Sequence, residues 1–167
     1  MPETTVESNA AAAPDRGALR ARLEATRSAV RELVASISDE QWRGKSGNRA
    51  WTCGQMATHL ALNDNMLGLI EKARKGKGFN PPMFVVNIAN VFMTRRSARN
   101  VTRESLLAGF DAGTSRLLGL LDQTTDDELR VGVKVLGEQT TVAGLFERLP
   151  AHLAEHEVDL RVALGRS

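Results

Sequence analysis

From Gly17 onward, apolar residues recur at intervals of three and four: Leu19, Leu23, Val30, Leu33, Val34 and Ile37, with Arg and Glu between them. That spacing lays one apolar stripe along an α-helix. The stretch Ser36–Trp42 predicts a short turn that packs Trp42 back on the helices. Arg43–Arg49, with two glycines and no apolar residue, reads as a loop. Thr52 followed three residues on by Gln55 has the form of a capping box and opens a second helix, running to about Lys75. Its inward stripe is Met56, His59, Leu60, Asn63, Met66, Leu67 and Ile70. His59 and Asn63, one turn apart, make a polar pair on that apolar face.

Glycines and a double proline in Lys75–Pro82 break the pattern. Met83–Met93 (MFVVNIANVFM) is apolar enough for a buried strand or a short helix. Asn87 and Asn90 fit one polar flank of a helix and no partner strand is evident, so a helix is expected. Thr102, Glu104 and Ser105 mark another helix start, with Leu106, Leu107, Phe110, Leu117, Leu118 and Leu121 as its buried face. That helix ends near Thr124–Asp127, and alternating Val131, Val133 and Val135 predict a brief extended stretch. Thr140 or Thr141 caps the last helix, which runs towards Leu164 with Gly165 as its stop. Pro150 falls inside it, frees the carbonyl of Phe146 and is expected to kink or split it. The sum is an all-α chain. A disordered lead over residues 1–16 precedes an antiparallel four-helix bundle over 17–165, with one extra short helix in the middle connection.

The composition agrees with one globular domain: 167 residues, 42% hydrophobic and 25% charged. A net charge of only +2 and 4% aromatics give no footprint for nucleic acid. The N-terminus carries Glu3 and Glu7 and lacks the apolar core of a secretory signal. No apolar run approaches the roughly 20 residues of a membrane helix. A soluble, cytoplasmic protein without membrane or nucleic-acid partners is therefore expected, and the single Cys53 rules out an intramolecular disulfide.

The candidate chemistry lies in the three histidines. His152 and His156 stand four residues apart in a helical stretch, hence on one face and about 6 Å apart along the axis. His59, on a separate helix, is the only other histidine and the natural third ligand. Three imidazoles favour Zn²⁺, Ni²⁺ or Fe²⁺ over Mg²⁺ or Ca²⁺, and three protein ligands leave a coordination position for water or substrate. The competing reading is that the histidines are exposed or hydrogen-bonded structural residues. Asp159, three residues after His156, is placed either to orient an imidazole or to be a solvated surface carboxylate. Cys53 at a helix start is either a nucleophile or, the better reading, a small buried filler. Lys72, Arg74, Lys75, Lys77, Arg95, Arg96, Arg99 and Arg103 gather in the middle third, where they solvate helix ends or hold an anionic group.

Several short motifs in a fixed order carry a family resemblance. They are Ser38–Trp42 before a polar loop, Trp51-Thr52 opening a helix with Met56-Ala-Thr-His59-Leu60, and the closing His152-x-x-x-His156-Glu-Val-Asp159-Leu160. In this layout the chain, from about Gly17 to Leu164, resembles the DinB-like superfamily, which includes the N-terminal domain of mycothiol-dependent maleylpyruvate isomerase. The resemblance implies a four-helix bundle, often dimeric, with a divalent metal on His59, His152 and His156. Where the isomerase-like branch commonly has Glu at the first position of the closing motif, this chain has His152. The resemblance further implies a metal-dependent thiol transferase or isomerase acting on a small molecule with mycothiol or bacillithiol, and possible homodimer formation. The chain ends just after the bundle, so maleylpyruvate isomerisation itself is not the expected activity. The alternative is a non-catalytic metal-binding stress-response or small-molecule-binding module.

Overall fold

The computed structural model describes residues 14–61 and 64–165, with the side chains of residues 64, 65 and 162 left aside. Asn63, expected beside His59, lies outside the described residues, as do residues 1–13 of the expected lead. The elements in order are α1 (Arg16–Ser36), α2 (Asp39–Arg43), α3 (Cys53–Ala61), α4 (Asp64–Ala73), α5 (Met83–Ser97), α6 (Arg103–Gln123), α7 (Asp126–Leu129), β1 (Gly132–Val135), β2 (Glu138–Thr141) and α8 (Val142–Ala163). The bundle consists of α1, the α3–α4 arm, α6 and α8.

Local chemistry sets the helix starts. Asp15 caps α1 through the N–H of Ala18. Ser38 with Gln41, Thr102 with Ser105, and Thr125 with Glu128 each form reciprocal capping boxes for α2, α6 and α7. Thr141 Oγ1 accepts from Gly144 N–H at 3.1 Å, which selects Thr141 over Thr140 as the α8 cap. Pro150 lies within α8, a single helical element to Ala163, and Gly165 follows at φ 67°, the left-handed stop expected for glycine.

Cross-links fix the helix directions. Arg16 donates to the carbonyl of Leu121 and to Asp126, joining the start of α1 to the end of α6. Arg22 meets Glu147 at 2.7 Å, so α1 and α8 start at the same end and run parallel. Arg74, at the end of α4, holds Glu128 and the carbonyl of Gln123. The α3–α4 arm therefore runs with α6 and against α8. Two bundle helices point each way, and α5 is the outer return stroke that carries the chain back between α4 and α6. The core forms two continuous zones. Leu23, Ile70, Leu121, Leu145 and Phe146 fill the end near α7, while Val34, Trp51, Met56, Phe110 and Leu160 fill the other.

Two features go beyond the expectations. The extended stretch at Val131–Val135 has a partner: β1 pairs antiparallel with β2 in the register Gly132↔Thr141 to Val135↔Glu138. Leu136 (φ 52°) and Gly137 (φ 88°) make the two-residue turn, both left-handed as tight hairpin turns require. Val133 and Val135 are buried, whereas β2 (Glu-Gln-Thr-Thr) buries no residue and so carries no hydrophobic alternation. The second concerns α5. It is a helix, as expected, but not a buried one. It packs on α3 along one side only, and Phe84, Ile88 and Phe92 on its other side are 65–67% exposed.

Candidate metal centre

The site is built at one end of the bundle, where α3 faces the second half of α8. The start of α3 is held by the expected Thr52–Gln55 pair: Thr52 N–H donates to Gln55 Oε1 at 3.1 Å and Gln55 N–H to Thr52 Oγ1 at 3.2 Å. Trp42 lies against Gly54, where an added Cβ would come within 2.5–2.9 Å of the indole. The expected loop after α2 is tightly organised. Ser46 Oγ donates to the carbonyls of Asn48 and Trp51, and Gly47 N–H donates to the carbonyl of Asp159 at 2.9 Å. A Cβ at Gly47 would sit 3.0 Å from Asp159 backbone, so the loop docks on α8 through a residue without a side chain.

These elements bring the three histidines together. His59 Nε2 and His152 Nε2 are 2.9 Å apart, and one ring nitrogen from each of His59, His152 and His156 falls within 4.8 Å of the others. The imidazoles meet edge to face, with ring centroids 4.6–5.3 Å apart. Each has a polar group on its Nδ1 side. Thr94 Oγ1 of α5 lies 3.4 Å from His59 Nδ1, Asp159 Oδ2 is 3.3 Å from His156 Nδ1, and Glu155 Oε2 is 3.7 Å from His152 Nδ1. An Nδ1–H directed at such an acceptor leaves Nε2 with its lone pair. Burial, reinforced by the charges that His152 and His156 would carry, lowers the pKa of His59 to about 4. Burial, then His156, lowers that of His152. His59 is thus a neutral donor at pH 7.

Trp51 closes the floor. Its buried indole stacks on His59 at 4.5 Å and meets His156 edge-on at 6.4 Å. Its Nε1–H has no acceptor among the described residues. Cys53 is the filler the sequence favoured: it is buried, its thiol points at the carbonyl of Lys45 at 3.5 Å, and burial raises its pKa, away from a thiolate. Of the basic residues, Arg74 and Arg103 are spent on Glu128 and Asp39, and Arg95 donates to the carbonyl of Ala50 beside Trp51.

Three contributors were not singled out from sequence. Trp51 entered only as part of a motif, Gly47 only as a loop glycine, and Thr94 not at all. Thr94 is the one fully buried residue of α5 and ends an otherwise apolar run, which was its only available signal.

A four-helix bundle with three histidines gathered between facing helices is the DinB-like arrangement. The mycothiol maleylpyruvate isomerase N-terminal domain family matches residues 23–161, and the chain belongs to it. Among solved structures, mycothiol-dependent maleylpyruvate isomerase superposes with a TM-score of 0.68 at 15% identity, over 87% of this chain and 60% of that enzyme. The chain thus spans about 60% of the isomerase's length. YfiT from Bacillus subtilis, described as a probable metal-dependent hydrolase with an unusual four-helix bundle topology, also gives 0.68 at 18% identity, over 100% of this chain and 94% of its own. At these identities the likeness is one of fold. No curated protein sequence matches the chain.

Proposed function

We propose that His59, His152 and His156 hold one divalent metal ion (zinc, nickel or iron), and that the protein uses it to act on a small electrophile with a low-molecular-weight thiol of the mycothiol or bacillithiol type. The observation that carries this reading is the orientation of the imidazoles: polar groups at Nδ1, Nε2 atoms converging from two helices. The donor set suits these metals, and the 2.9 Å separation is close to the roughly 3.3 Å that two nitrogens span on a tetrahedral zinc with bonds of about 2.0–2.1 Å.

A metal held there would act as a Lewis acid and lower the pKa of a thiol or water in its open position. The chain supplies the rest. Asp159 would orient His156 as its Nδ1–H tautomer, Thr94 Oγ1 lies against Nδ1 of His59, and Trp51 packs on one face of the His59 ring. Approach is from the His152 side, since that side chain is 34% exposed against 20% for His156. The Trp51 N–H is buried and has no acceptor among the described residues, so a ligand that reached the floor of the site would find a donor there.

Hydrolysis is the second reading. It uses the same site with water in place of the thiol, and it is favoured by the near-complete mutual coverage with YfiT. Elemental mass spectrometry on protein prepared without a His-tag or chelators tests the metal. Turnover of a small electrophile with and without added thiol then separates the readings. Metal-dependent conjugation supports the first, and metal-dependent turnover without thiol supports the second. A protein that takes up no metal even on reconstitution refutes both.

A further inference from the structure

The outer face of α5 has no role in the site, and its chemistry is unusual for a solvated helix. Phe84, Ile88 and Phe92 form an i, i+4, i+8 row about 12 Å long, each 65–67% exposed, with Val85 beside them at 45%. The same face continues into Arg95, Arg96 and Arg99. No Asp or Glu occurs between Glu71 and Glu104. Lys75 and Lys77, in the loop that leads into α5, are exposed, as are Arg96 and Arg99. None of these four makes an ion pair among the described residues. A helix that is apolar on both its inner and its outer side is ordinarily covered on both.

We propose that this face docks on the surface of an anionic lipid bilayer. Phe84, Ile88 and Phe92 would enter the headgroup–acyl boundary while the basic residues at the two ends of α5 meet lipid phosphates. Interfacial helices bind through this combination of apolar burial and cationic attraction, and arginine stems reach along apolar surface to place their charge at the phosphates. A second copy of the chain fits less well. A two-fold pairing centred on Ile88 sets Phe84 against Phe92 of the other copy, but α5 carries no acidic residue for Arg96 and Arg99 of either copy to meet. A parallel pairing stacks arginine on arginine. Neither supplies a counter-charge, and a bilayer surface rich in phosphate does. No described helix is long and apolar enough to cross a membrane, and surface attachment needs no such span. It revises the expectation of no membrane partner, which rested on that lack.

The test is flotation of the full chain with vesicles of equimolar phosphatidylcholine and phosphatidylglycerol, beside vesicles of phosphatidylcholine alone. Binding to the anionic vesicles should exceed binding to the neutral ones by at least about tenfold. It should be lost in Ile88→Asp and in the double variant Arg96→Glu/Arg99→Glu, each with unchanged circular dichroism and melting temperature. His59→Ala should bind as the parent does, which separates this surface from the metal centre. Absence of binding to anionic vesicles, or undiminished binding by Ile88→Asp, overturns the proposal. So does a dimer in light scattering that Ile88→Asp converts to monomer, because the face would then belong to a second copy.

Discussion

His59 Nε2 and His152 Nε2 stand 2.9 Å apart although 93 residues separate them in the chain. In the metal-free protein His152, as its Nε2–H tautomer, can donate to His59 Nε2, and that proton shifts to the Nδ1 side facing Glu155 when both Nε2 lone pairs are called on. A metal ion replaces that hydrogen bond with two coordinate bonds and needs only a few tenths of an ångström of opening. The site is therefore organised before any ion arrives. His59→Ala, His152→Ala and His156→Ala should each take bound metal from near one per chain to background, measured by elemental analysis, with the helical content retained.

Asp159 has two separable duties. Its carboxylate faces His156, and its backbone carbonyl accepts from Gly47. Asp159→Asn keeps the second and weakens the first. Metal affinity should fall about 10- to 100-fold in a chelator-competition titration, while the melting temperature of the metal-free protein stays within about a degree or two.

The acid response of the metal-free protein follows from His59. Its pKa is about 4 in the fold and near 6.5 in the unfolded chain. Between these values the unfolded state binds more protons, so stability rises with pH. The stabilisation is fully present above about pH 6.5 and drains away as pH falls towards 4. His152, also lowered, adds in the same direction. Thermal melts across this window should show that slope for the parent and a flatter one for His59→Gln.

Trp51→Phe keeps an aromatic ring against His59 while removing the unpaired N–H together with part of the indole's buried volume. Metal content should stay unchanged. If the indole contacts the ligand, KM for the small-molecule substrate should rise about three- to tenfold, corresponding to one neutral hydrogen bond.

Gly54→Ala probes the seam between α2 and α3. The new methyl would come within 2.5–2.9 Å of the Trp42 indole, which is itself pinned under Arg103 at 4.9 Å. A loss of about 1–3 kcal/mol in chemical denaturation is expected, the usual cost of overpacking.

The bundle and the triad were legible because each rests on a strong local signal. The Leu19–Ile37 periodicity, the Thr52–Gln55 and Thr102–Ser105 caps and the His152–His156 spacing all act over three or four residues. What escaped depends on tertiary partners. β2 is polar on both faces, so nothing in Glu138–Thr141 announces a strand until Val133 and Val135 are seen to need one. Thr94 is ordinary in sequence and meaningful only because α5 returns along α3. The exposure of Phe84, Ile88 and Phe92 runs against their hydrophobicity, and no periodicity could reveal it.

The parallel placement of α1 and α8 bears on the order in which the molecule can assemble. Arg22 and Glu147 are 125 residues apart in the chain, so the first and last helices are neighbours that meet only once α8 has emerged from the ribosome. Until then His59 faces an empty flank and the apolar stripes of α1 and α4 lack their cover. Contacts of such long sequence separation form late and slowly. On the proposed reading, metal capture would therefore report on completed folding: nascent chains stopped short of His152 should leave the ion in solution however well their first helices had formed.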